Sequence, residues 1–197
     1  MTTTEDALPA TPSQEERRVP GEPDMWFFVF FESAVFVSYF CVYLYFRTQN
    51  ERAFLRAQSH LSLGLGVLAT IILLTSSLAM ALSVRLARAG RHIHARRLVY
   101  LTAGLGVAFL ALKLVEWIRL VQDGQTFTKN DFTQYYFFLT GIHGLHVLIG
   151  FVVLGVLLYQ LSDPSRRSQQ AVETCATYWH TVDLYWVMIF AMLYIVR

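Results

Sequence analysis

A chain of 197 residues that is 55% hydrophobic, 15% aromatic and only 15% charged carries too much apolar surface for a soluble domain of its size. Its 16 Lys and Arg against 14 Asp and Glu leave a formal charge of +2, and they collect between apolar runs, which excludes a nucleic-acid surface. Cys41 and Cys175 fall inside those runs and read as buried free thiols, not as a disulfide framework or a CxxC metal site.

Residues 1–24 are rich in Thr, Pro and charge, with EERR at 15–18 and PGEP at 20–23, and have no apolar set to fold around. They are expected to be a disordered tail, and no basic stretch leads an apolar run with a small-residue cleavage site, so they are not read as a secretory signal. The remaining residues, 25–197, form one membrane domain. Crossing roughly 30 Å of hydrocarbon at about 1.5 Å per residue takes about 20 apolar residues. Five runs meet that length: Met25–Phe46, Leu61–Val84, Leu98–Val121, Gln134–Leu161 and Glu173–Val196. They are continuous, not alternating, which predicts helices and excludes barrel strands.

Orientation follows from Lys and Arg outside the spans. Arg17, Arg18, Arg85, Arg88, Arg91, Arg96, Arg97, Arg166 and Arg167 fall on one side, nine against six on the other. The richer side is expected to be cytoplasmic, placing the N-terminus inside and the C-terminus outside. The arginines at 85–97 also suit an anionic lipid or a partner.

Ionisable groups inside hydrocarbon are expensive, so each asks for a partner or a role. Seven stand within the spans: Glu32, Lys113, Glu116, His143, His146, His180 and Asp183. Six of them fall into pairs at i, i+3, a spacing that puts both members on one helix face. The stretch TGIHGLHVLIGF at 140–151 holds two such histidines, with Gly141 and Gly144 expected to let a neighbour approach closely. Counting rise per residue places Glu32 and His180 about 10 Å from the inner end and His146 about 12 Å from it. These three are expected to share a layer facing the bundle interior, with Glu32 hydrogen-bonded to His146 or a neighbour. Lys113 and Glu116 have two readings: they pair with each other while the lysine stem snorkels past Trp117, or Glu116 points inward and Lys113 pairs elsewhere. Metal or haem binding is disfavoured because no Glu-x-x-His motif and no strong ligand set is present. A free-standing proton transporter is disfavoured because the spans show no internal repeat.

Four motifs in order carry a resemblance. MWFFVFFESAVFVSYF at 25–40, LTAGLGVAFLALKLVEW at 101–117, TGIHGLHVLIG at 140–150 and YWHTVDLYWVMIF at 178–190 together resemble the cytochrome c oxidase subunit III family. The resemblance covers nearly everything after residue 24. It implies a five-helix, all-α integral membrane bundle with a phospholipid-binding cleft, lacking the two N-terminal helices of the seven-helix form. It also implies no haem or copper in this chain, with both in subunit I and its companion subunit II. The chain would then serve aerobic electron transport from a bacterial plasma membrane by stabilising subunit I and its lipids and supporting proton uptake. Glu32 would be the carbodiimide-reactive carboxylate, and Glu116, His143, His146, His180 and Asp183 occupy motif positions as buried polar, structural or lipid-cleft residues. The opening PGEPDMWFFVF also resembles the accessory membrane protein of bacterial nitric oxide reductases, so that enzyme stands as the alternative partner.

Overall fold

The computed structural model describes residues 21–196. Among them are six α-helices, a 3₁₀ turn at Pro164–Arg166 and a π-helical turn at Ala191–Ile195, with no strand. The helices are α1 Pro23–Gln49, α2 Glu51–Gln58, α3 Leu63–Arg88, α4 His92–Gln122, α5 Asp131–Ser162 and α6 Gln169–Phe190. Four of them, α1, α3, α4 and α5, are long and apolar enough to cross a membrane. By the same measure α6 falls short, because it is the inner helix of the bundle. It packs against α1, α3 and α5, and its buried face carries Tyr178, Trp179, Asp183, Tyr185 and Trp186 where a lipid-facing helix would carry aliphatics.

The helix ends follow local chemistry. Pro23 opens α1, where its missing N–H costs nothing. Gly90 (φ +72°) ends α3 and Gly124 (φ +73°) ends α4, a conformation that favours glycine. Arg91 N–H then reaches back to Leu86 O at 2.9 Å and Gln125 N–H to Leu120 O at 2.8 Å, closing both helices in the same way. Asn130 and Thr133 cap α5 reciprocally.

Between the first two expected spans the chain forms the amphipathic helix α2, which buries Phe54 against Tyr43 and Phe132. The expected tail at 1–24 lies outside the described residues up to position 20; beyond that, Glu22 N–H donates to Thr174 Oγ1 at 3.0 Å and ties the entry of α1 to the start of α6. Cys175 is buried but Cys41 is exposed, because it falls on the outward face of α1.

At the far end Arg47 Nη1 donates to Val196 O at 2.6 Å, so α1 and α6 meet at both ends and run parallel. Lipid tails are as apolar as leucine, so close packing and hydrogen bonds, not burial alone, hold helices together in a bilayer. Trp179 shows both. A Cβ at Gly150 or Gly106 would stand 2.8 or 3.0 Å from its ring, and its Nε1–H donates to Ser76 Oγ at 3.0 Å. Trp186 donates likewise to Thr70 Oγ1 at 3.0 Å. The tight crossings use Gly66, Gly106 and Gly150; Gly141 and Gly144 instead meet only ordinary contacts and line a groove between α4 and α5.

Candidate functional site

The sequence-selected groups settle into three places. The first is the seam between α1 and α5. Glu32 Oε2 and His146 Nε2 stand 3.2 Å apart, as expected from their depths, and Phe36 packs its edge on the imidazole with centroids 5.5 Å apart. The side chains are 19% and 11% exposed, so the pair opens partly to the surface. His146 Nδ1 faces the Ile142 carbonyl at 2.9 Å. A carbonyl can only accept, so Nδ1 carries the proton. Nε2 then accepts from a protonated Glu32, or donates to an ionised one as part of an imidazolium. In both forms the pair holds one shared proton and is neutral overall.

The second place is the half of the bundle where α4 ends and α5 begins. Lys113 and Glu116 pair with each other, and both point inward, 6% and 3% exposed, so the lysine does not snorkel. Lys113 Nζ also donates to Tyr136 OH and Tyr194 OH at 2.9 Å each, which uses all three ammonium protons. Tyr194 OH in turn donates to Glu116 Oε2 at 2.8 Å. The rings of Tyr136, Trp186 and Tyr194 surround the ammonium at 4.9, 5.0 and 5.4 Å, favourable cation–π distances. The π-helical turn at Ala191–Ile195 carries Tyr194 to this cluster, and Gly66 makes room for it, since a Cβ there would lie 2.7 Å from the tyrosine ring. Gln58 Nε2 fixes the same turn through Leu193 O at 3.0 Å.

The third place is the bundle centre. His180 does not join Glu32 and His146; its Nδ1 meets Ser77 Oγ at 2.7 Å and it lines an apolar groove between α1, α3 and α6. His143 is fully buried between Phe109 and Trp186, and neither of its ring nitrogens has a hydrogen-bond partner among the described residues. Asp183, 4% exposed, stands in the same position. Among the described residues no group of three or more His, Cys, Asp or Glu is arranged to hold a metal ion.

Sequence reasoning did not find Tyr136, Tyr194, Ser77, Arg47 or Gln58. Tyrosines near span ends read as an interfacial belt, and a short polar helix reads as a loop, so nothing in their spacing separates them from such roles.

The arrangement defines a class: a multi-pass helical membrane bundle whose buried polar groups join helices to one another. The comparisons narrow it. A sequence profile described as Cytochrome c oxidase subunit III matches residues 22–197. A protein named Cytochrome c oxidase subunit 3 from Synechocystis sp. is 32% identical, over 89% of this chain and 77% of its own length. One from Nocardia farcinica, named Probable cytochrome c oxidase subunit 3, is 30% identical over 84% of this chain and 83% of its own. A protein of Aeropyrum pernix named Heme-copper oxidase subunit I+III is 28% identical over 85% of this chain but only 22% of its own length. The chain belongs to the cytochrome c oxidase subunit III family.

Proposed function

We propose that this chain is the non-catalytic subunit III of a respiratory haem-copper oxidase, packed against subunit I near subunit II, holding phospholipid and supporting proton uptake from a bacterial plasma membrane. The family match across residues 22–197 carries the reading. The Aeropyrum relative, whose name joins subunits I and III in one chain, supports subunit I as the neighbour. The oxidase names of the relatives favour an oxygen-reducing partner over a nitric oxide reductase.

In this reading α6 with its π-helical turn is the fifth span. Its parallel run beside α1, tied by Glu22–Thr174 at one end and Arg47–Val196 at the other, supports that count. The arginine excess supports an N-terminus inside and a C-terminus outside. The buried polar pairs position helices and the lipid they border; haem and copper belong to the partners.

The test is to tag the chain, extract native membranes in mild detergent, and record subunit content and absorption spectrum together. Subunits I and II with an oxidase spectrum are expected. A colourless chain alone, or nitric oxide reductase subunits, overturns the reading.

A further inference from the structure

At the end of the bundle where α3 and α5 finish and α4 and α6 begin lies a cavity of about 370 Å³. It differs from the two apolar grooves in the chemistry of its wall. Arg88, His92, Arg167, Ser168 and Gln169 line it over a floor of Leu161 and Val172, and no carboxylate is among its lining residues. Segments 85–97 and 163–173 around it hold seven arginines and two carboxylates, and both carboxylates are taken. Glu173 Oε1 accepts from Arg88 Nε and Nη2, each at 3.0 Å, a pair that leaves Nη1 unused. Asp163 Oδ2 lies 3.5 Å from Arg166 Nε. The His92 Nδ1 atom is buried and has no hydrogen-bond partner among the described residues. Arg167 spends its Nε on the Leu161 carbonyl at 3.4 Å, which holds the guanidinium at the cavity wall.

Two helix starts add to this. His92 is the first residue of α4, which opens with no side-chain cap; Gln169 is the first of α6, where Ser168 Oγ already accepts from Ala171 N–H at 3.3 Å. First-turn N–H groups and the positive helix end favour an anion, and arginine forks match phosphate oxygens in pairs. We propose that this cavity binds a phosphate group, donated either by an anionic phospholipid headgroup or by free phosphate, through Arg88, His92 and Arg167. A phosphate supplies a partner for His92 Nδ1 and for the guanidinium nitrogens that Glu173 and the Leu161 carbonyl do not take, and it offsets the arginine excess. The site does not depend on which enzyme the chain accompanies, so it stands or falls apart from the oxidase reading.

The test uses the delipidated full chain in detergent, at fixed ionic strength set with chloride. Thermal unfolding is followed against inorganic phosphate, short-chain phosphatidylglycerol and phosphatidylcholine of equal chain length. The wild type is expected to be stabilised by phosphatidylglycerol or by inorganic phosphate beyond phosphatidylcholine; the first identifies a headgroup, the second free phosphate. Arg167→Gln combined with His92→Gln should weaken that response about tenfold, while Arg97→Gln, an exposed arginine outside the cavity, should change it less than about twofold. Arg167→Lys keeps the charge of an exposed residue and loses only the fork, so it reads the site if the double variant does not fold; it should weaken binding several-fold. No stabilisation of the wild type, or equal losses in Arg97→Gln and the cavity variants, overturns the proposal.

Discussion

Two acid–base pairs in one bundle are built on opposite plans. Lys113–Glu116 lies within a single helix, sealed by three aromatic rings, with every ammonium proton taken by this chain. Glu32–His146 joins two helices, stays partly exposed, and rests on one shared proton. A strong cation such as lysine cannot be left half-paired in hydrocarbon, so its environment must be complete. A carboxyl–imidazole pair is neutral with its proton on either side and tolerates an open seam. The sealed cluster is therefore suited to holding its half of the bundle together, while the pair between α1 and α5 works at an open seam.

The largest effect that could break this comparison comes from Lys113→Met. It leaves Glu116 in the bundle without its counter-ion, held only by the Tyr194 hydroxyl, and should destabilise by about 3 to 5 kcal/mol. Adding Glu116→Leu should recover most of that loss in detergent unfolding assays, since no lone charge remains. If the double variant were as unstable as the single, the cluster would owe its strength to the tyrosines and not to the ion pair.

Gly66→Ala should follow, at about 1 to 3 kcal/mol, because its Cβ meets the Tyr194 ring at 2.7 Å and pushes the π-helical turn from the cluster. Gly155→Ala, with nothing within 4 Å of its Cβ, is the matched control and should be neutral or slightly stabilising in the same unfolding assay.

At the open seam, Glu32→Ala should cost about 1 to 2 kcal/mol, the scale of one intramembrane hydrogen bond. Glu32→Gln should cost less, because its amide can donate to His146 Nε2. In the assembled oxidase, turnover of the alanine variant should begin normally and then decay. Loss from the first turnover with haem content intact would point to a direct catalytic role instead.

The smallest effect lies outside the bundle. Asp163 accepts from the Ser165 backbone N–H at 3.0 Å and its hydroxyl at 2.8 Å, bonds that hold its carboxyl below the ordinary 3.8. A carboxyl lowered by folding stabilises above its unfolded value and loses that contribution as pH falls through its folded one. Carbon-13 NMR should therefore show Asp163 titrating below 3.8 and the turn at Pro164–Arg166 loosening only under acid.

Apolar length fixes helices on its own terms, which is why the first four spans and the depth match between Glu32 and His146 were legible in one dimension. Rise per residue converts position to depth, and depth is all that pairing across a seam requires. Azimuth is different. Whether Lys113 snorkels or turns inward, whether His180 faces Glu32 or Ser77, and which glycines mark close crossings depend on how each helix is rotated against its neighbours, and side-chain packing sets that rotation. The same holds for Tyr194, brought to Glu116 by a π-helical turn, and for Arg88, His92 and Arg167, gathered around one cavity from two connections far apart in the chain. The sequence by itself determined the lengths, depths and family of this protein; only the tertiary structure decided which polar groups meet, because meeting depends on rotation and on neighbours that no single helix encodes.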